Sequence, residues 1–209
     1  MPVEPATLVT FIAAAFVVVI SPGPDTLIIL RYTLTSGRRV GLATVTGVQL
    51  GLLVHTTAAA AGLSLIIVSR PALYGTIAVI GALYLAWLGY QSIRAGVVSL
   101  GESGGSAISA AKGMRDAAVT NVLNPKVIFL FLALMPNFVR PEQGNVPLQF
   151  ATLAVTLIVV NTIWQGSIAL MAEAARGWLA EARIQRMVSW VTGLILIAFA
   201  IGLITEHAI

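Results

Sequence analysis

Residues 5–30 read PATLVTFIAAAFVVVISPGPDTLIIL, and this stretch decides the fold. From Pro5 to Pro24 it contains no Asp, Glu, Lys or Arg, and about 20 such residues suffice to carry a helix across the hydrocarbon core of a bilayer. Ser21-Pro22-Gly23-Pro24-Asp25 then interrupts the run. Proline has no amide proton to give the helix, and its ring clashes with the preceding turn, so the helix is expected to break there. A carboxylate, Asp25, follows at once, and apolar sequence resumes from Thr26 to Leu30. The stretch predicts a membrane helix broken beside a charge. In place of the basic leader of a secretion signal it carries Glu4, so it reads as an uncleaved span.

The rest of the chain has the same character. Its 209 residues are 58% hydrophobic and 10% charged, where a soluble domain carries about 25% charged residues, and the mean hydropathy is +0.95. Further runs nearly free of charge cover Leu42 to Ser69, Pro71 to Ile93, Ala117 to Val139 (interrupted by Lys126), Gln143 to Ala172 and Met187 to Thr205. The expected fold is an all-α polytopic membrane protein with six transmembrane helices. This excludes a soluble enzyme. The absence of cysteine excludes disulfides, thiolate metal sites and dithiol relays.

A net charge of +4 points to topology and not to nucleic acid. Arg31, Arg38, Arg39, Arg94, Lys112, Arg115, Arg176, Arg183 and Arg186 fall in the loops on one side of the expected spans, against Arg70 and Arg140 on the other. The side rich in Lys and Arg faces the cytoplasm. Both termini are therefore expected outside.

The one linker-like segment, 98–112, with Gly101, Ser103, Gly104, Gly105 and Ser106, divides the chain into two three-span halves, 1–97 and 113–209. Three is odd, so a repeat of that length enters the membrane in opposite directions in the two halves. An inverted repeat is expected. The fourth span carries its own break, Asn124-Pro125-Lys126, and aligning Pro24 with Pro125 sets Asp25 opposite Lys126. Broken helices survive at membrane depth where they face protein or a wet cavity, and paired breaks in two halves are how transporter sites are built. Simple proline kinks are the plainer alternative.

Buried charges in a bilayer need partners. Asp25 suits the ammonium, and Lys126 the carboxylate, of a zwitterionic amino acid; a mutual salt bridge with no ligand is the alternative. His55 is the one histidine within the spans, a candidate for proton coupling or a ring satisfied by a neighbouring helix. Gln49, Asn161 and Gln165 read as hydrogen bonds between helices or as cavity lining, and Gly47 and Gly51 as a close-packing face. Tyr84, Trp87 and Tyr90 read as interface anchors.

Ser21-Pro-Gly-Pro-Asp25, Gly81-Ala-Leu-Tyr-Leu-Ala-Trp-Leu-Gly-Tyr-Gln-Ser-Ile-Arg94, and Thr120-Asn-Val-Leu-Asn-Pro-Lys126 with Phe129 to Phe138 together resemble the LysE/RhtB family of amino-acid exporters. The resemblance implies a protein of the bacterial inner membrane that exports homoserine, threonine or related neutral amino acids by proton antiport, without a cofactor. Carried over by motif, it makes Pro22, Gly23, Pro24, Asp25, Asn124, Pro125 and Lys126 the candidate substrate positions, with Asp25 and His55 the candidates for the proton. Its partners would be the lipid bilayer, the amino acid and protons, with self-association left open. A metal-ion or other solute exporter and an intramembrane enzyme are the competing readings. The former lacks a set of ligands and the latter a catalytic constellation.

Overall fold

The computed structural model describes residues 2–21, 23–63, 71–94 and 107–207. All regular structure among them is helical: α1 (Pro5–Ile20), α2 (Pro24–Ser36), α3 (Arg38–Ala58), α4 (Pro71–Arg94), α5 (Ala110–Val122), α6 (Pro125–Phe129), α7 (Val146–Ala180) and α8 (Ala182–His207). A π-helical turn, Ala59–Leu63, extends α3. A second, Leu130–Leu134, and the 3₁₀ turn Met135–Phe138 extend α6.

Both expected breaks are present. The axis bends by 58° between α1 and α2, and by 51° between α5 and the segment Pro125–Phe138. Three helices among the described residues are long and apolar enough to cross a membrane, or five if each bent pair counts as one span. The segment expected from Pro71 to Ile93 forms α4, outside that count. Pro22, the end of the second expected span with Arg70 (64–70), residues 95–97 at the end of the first expected half, and 98–106 of the expected linker lie outside the described residues. The end of that linker is already helical, since α5 starts at Ala110 and Ser109 caps it by accepting from the Lys112 amide.

Where a loop was expected between the first two spans there is a single residue. Gly37, with φ +85°, ends α2 and starts α3. That left-handed conformation costs glycine little and other residues more. Arg31 accordingly lies within α2, and Arg38 and Arg39 open α3.

The interior collects Phe11, Phe131, Leu134, Met135, Phe150, Leu153, Leu157 and Leu196, drawn from both halves of the chain. The outer surface is just as apolar. Leu123 is 70% exposed, Val9 67% and Ile163 64%. A soluble protein rarely shows so much contiguous apolar surface, whereas lipid tails solvate it. Because lipid is as apolar as leucine, association of the helices rests on close packing. Gly47 and Gly51 provide it. A Cβ on Gly51 would lie 2.5 Å from Asn121 Oδ1, and one on Gly47 would overlap the Met114 carbonyl, so α3 lies directly against α5. Gly89 and Gly193 do the same for α4 and α8.

Candidate functional site

The two breaks have one local grammar. Pro24 and Pro125 each occupy the first turn of the helix that follows, where the missing amide proton has no intrahelical use. Gly23 precedes α2 in an extended conformation. Asn124 precedes α6 and caps it, its Oδ1 accepting from the Lys126 amide at 3.0 Å. The next residue on each side is the charge: Asp25 in the first turn of α2, where a carboxylate complements the helix dipole, and Lys126 in α6.

The breaks brace each other across the molecule. Asp25 Oδ2 accepts from Asn121 Nδ2 at 2.9 Å and from Asn124 Nδ2 at 3.0 Å, and all three residues are buried. In return Lys126 Nζ donates to the Ser21 carbonyl at 2.7 Å, at the end of α1. Ion pairs among the described residues fall elsewhere, at Asp116 with Lys112 and Arg115. Asp25 and Lys126 are therefore not joined in a direct salt bridge; each is held by uncharged groups. At the breaks, Asp25 Oδ1 and Asn121 Oδ1 are shut off from solvent and have no hydrogen-bond partner among the described residues.

A cavity of about 40 Å³ lies at this junction, lined by Gly23, Asp25, Thr26, Asn121, Asn124 and Lys126, with Asn161 and Gln165 from α7. The last two also bridge helices. Gln49 Nε2 donates to Gln165 Oε1 at 3.2 Å, and Asn161 Nδ2 to Gln49 Oε1 at 3.4 Å, tying α3 to α7. Pro24 and Pro125 do not line this cavity. They border a larger crevice of about 390 Å³ on the other side of Gly23 and Lys126. His55 is one residue removed: its Nε2 is 3.2 Å from the Asn121 carbonyl, to which a ring N–H donates, and its ring stacks on Phe131.

Tyr84 departs from its expected role as an anchor. Its ring stacks on Phe129 with centroids 3.6 Å apart and forms part of the crevice wall. Tyr90 keeps to the surface, accepting from Arg94 at 3.0 Å. Two members of the site escape a reading of the sequence. Asn121 is one, although it stands three residues before Asn124 on the same helical approach to the break. The Ser21 carbonyl is the other, a backbone group without a side-chain signature.

Comparison with known proteins adds an independent line. A family model described as LysE type translocator matches residues 16–207. The membrane protein YrhP of Bacillus subtilis is 30% identical over 204 residues, covering 93% of this chain and 97% of that protein. A leucine efflux protein of Enterobacter is 26% identical, covering 95% of each chain. A homoserine/homoserine lactone efflux protein of Salmonella typhimurium is 30% identical, covering 77% of each. No solved structure matches. With apolar helices, two of them bent at breaks, and a family match over nearly its whole length, the chain is a multi-pass membrane protein that belongs to the LysE type translocator family.

Proposed function

We propose that the protein exports neutral amino acids, the class that includes homoserine and threonine, across a bacterial inner membrane by proton antiport, through a site held between the two broken helices. One observation carries this reading. Asp25 Oδ1 is a buried acceptor with no donor among the described residues, beside a cavity that Lys126 also lines. An ammonium group brings three donors and no acceptor, so the amino group of a substrate satisfies this oxygen. Its carboxylate meets the Lys126 ammonium once that group leaves the Ser21 carbonyl. Relatives named for efflux of leucine and of homoserine support the substrate class.

The two halves, 1–97 and 113–209, act as an inverted pair of three spans each. Supporting this, α3 packs on α7 and α4 on α8, the contacts that a two-fold axis relating the halves would preserve. Export follows if one half rocks against the other and opens the junction to each side in turn. Asp25 exchanges its proton for the ammonium, and His55 reaches that exchange through the backbone of Asn121.

The test uses purified protein in proteoliposomes loaded with a panel of neutral amino acids. Efflux is expected to quicken when a pH gradient is imposed, and Asp25→Asn is expected to remove that response. Absence of efflux for every amino acid, from protein shown to be inserted, would overturn the reading.

A further inference from the structure

The charges at the junction share their cavity with two buried amides. Asn161 and Gln165 stand one turn apart on α7, 6% and 3% exposed, and both line the cavity of about 40 Å³ with Asp25 and Lys126. That volume holds about three waters at about 10–15 Å³ each, which is room for the charged end of an amino acid and little more. Gln49 of α3 meets both amides, and it uses both ends of its own. Its Nε2 donates to Gln165 Oε1 at 3.2 Å, and its Oε1 accepts from Asn161 Nδ2 at 3.4 Å.

A planar carboxamide presents a carbonyl acceptor at one edge and N–H donors at the other. With its oxygen taken by Gln49, Gln165 is left with its N–H groups. Having given an N–H to Gln49, Asn161 is left with its carbonyl oxygen. Neither Gln165 Nε2 nor Asn161 Oδ1 has a further partner among the described residues. A bridge that served only to join α3 to α7 would need one of the two bonds. The pair together leaves one donor group and one acceptor at a cavity that a cation and a carboxylate also line.

We infer that Gln49 is a positioning residue, which turns the two amides so that Gln165 donates to the carboxylate of the substrate and Asn161 accepts from its ammonium. The inference rests on the proposed export function and adds the partners that α7 brings to the same site. Lys126 and Gln165 then serve the negative end of the zwitterion, Asp25 and Asn161 the positive end. Gln49 itself touches neither.

The experiment measures KM and maximal rate for efflux of leucine, threonine and homoserine from proteoliposomes, with the unaltered protein and with Gln49→Leu, Gln165→Glu and Asn161→Asp. Gln49→Leu removes both bonds at similar bulk. It is expected to raise KM roughly tenfold or more, the worth of a hydrogen bond to a charged group, with little change in maximal rate, because what is lost is binding. The isosteric pair separates the two roles. Gln165→Glu sets oxygen in place of N–H against the substrate's carboxylate, and is expected to raise KM far more than Asn161→Asp, which keeps an oxygen beside the ammonium. An unmoved KM in Gln49→Leu protein that elutes as the unaltered protein does in size exclusion overturns the inference, since the bridge then serves packing alone. Equal effects in the isosteric pair, or the larger effect in Asn161→Asp, overturn it too, and this comparison decides by itself if Gln49→Leu does not fold. Each of these results leaves the export function standing. No efflux of any amino acid by the unaltered protein removes that function and this inference together.

Discussion

At the residue scale the chemistry gathers at Asn121. Its amide donates to Asp25, its carbonyl receives His55, and its side chain lies where a Cβ on Gly51 would have to go. Among the described residues Asp25 has one other donor to the same oxygen, from Asn124. A hydrogen bond to a charged group is worth about 1.5–3 kcal/mol, which corresponds to roughly a ten- to hundredfold change in an equilibrium constant. Asn121→Ala is therefore expected to reduce efflux by about that factor, with expression and elution unchanged. Transport rates in proteoliposomes check this, and full activity would mean that Asn121 does not hold the carboxylate in its working position. The charges themselves could be read from the sequence, because an Asp and a Lys beside prolines in apolar runs need a partner, whether a ligand or each other. Asn121 was legible only as a member of a motif. An asparagine in a membrane helix is as often a packing contact, and nothing in the linear order says which helix it meets.

Among the elements, the breaks follow from local chemistry and their consequences do not. Proline fixes where α2 and α6 begin, and Asn124 caps the second. At the far end of α2, Tyr32 donates to Asp116 Oδ2 at 3.0 Å and the Ile108 amide donates to Ser36 Oγ at 3.0 Å, so α2 is fastened to α5 and the approach to it. The α3–α5 contact depends on glycine. Gly51→Val places branched carbon where Asn121 stands, and overpacking of this kind costs about 1–3 kcal/mol. Gly166 of α7 has open space around it, and alanine at a helical glycine gains about 0.5–1 kcal/mol. Thermal unfolding in detergent is expected to show Gly51→Val well below the unaltered protein and Gly166→Ala at or above it. Equal melting of the two variants would mean that α3 and α5 are not packed through this face.

For the whole molecule, orientation is the testable property. Nine of the twelve basic residues fall on one side of the expected spans, and the charge rule then expects the start of α5 in the cytoplasm and the turn before α7 outside. The chain has no cysteine, so single cysteines report position without background. Ala107→Cys is expected to stay unlabelled by an impermeant maleimide in intact cells, and Glu142→Cys to be labelled; the reverse pattern would invert the assignment. Composition and the placing of prolines along the chain are enough to put it in a bilayer, and to show roughly where its helices run and where two of them break. These are properties of composition and of proline, which act within a few residues. What meets at the breaks emerges from the folded chain: Asn121 on Asp25 across 96 residues, Asn124 across 99, and Lys126 on the Ser21 carbonyl across 105. Contacts at that separation depend on how helices pack. In lipid, packing is set by the shape of small-residue faces such as Gly47 and Gly51, and a count of apolar residues carries no record of it.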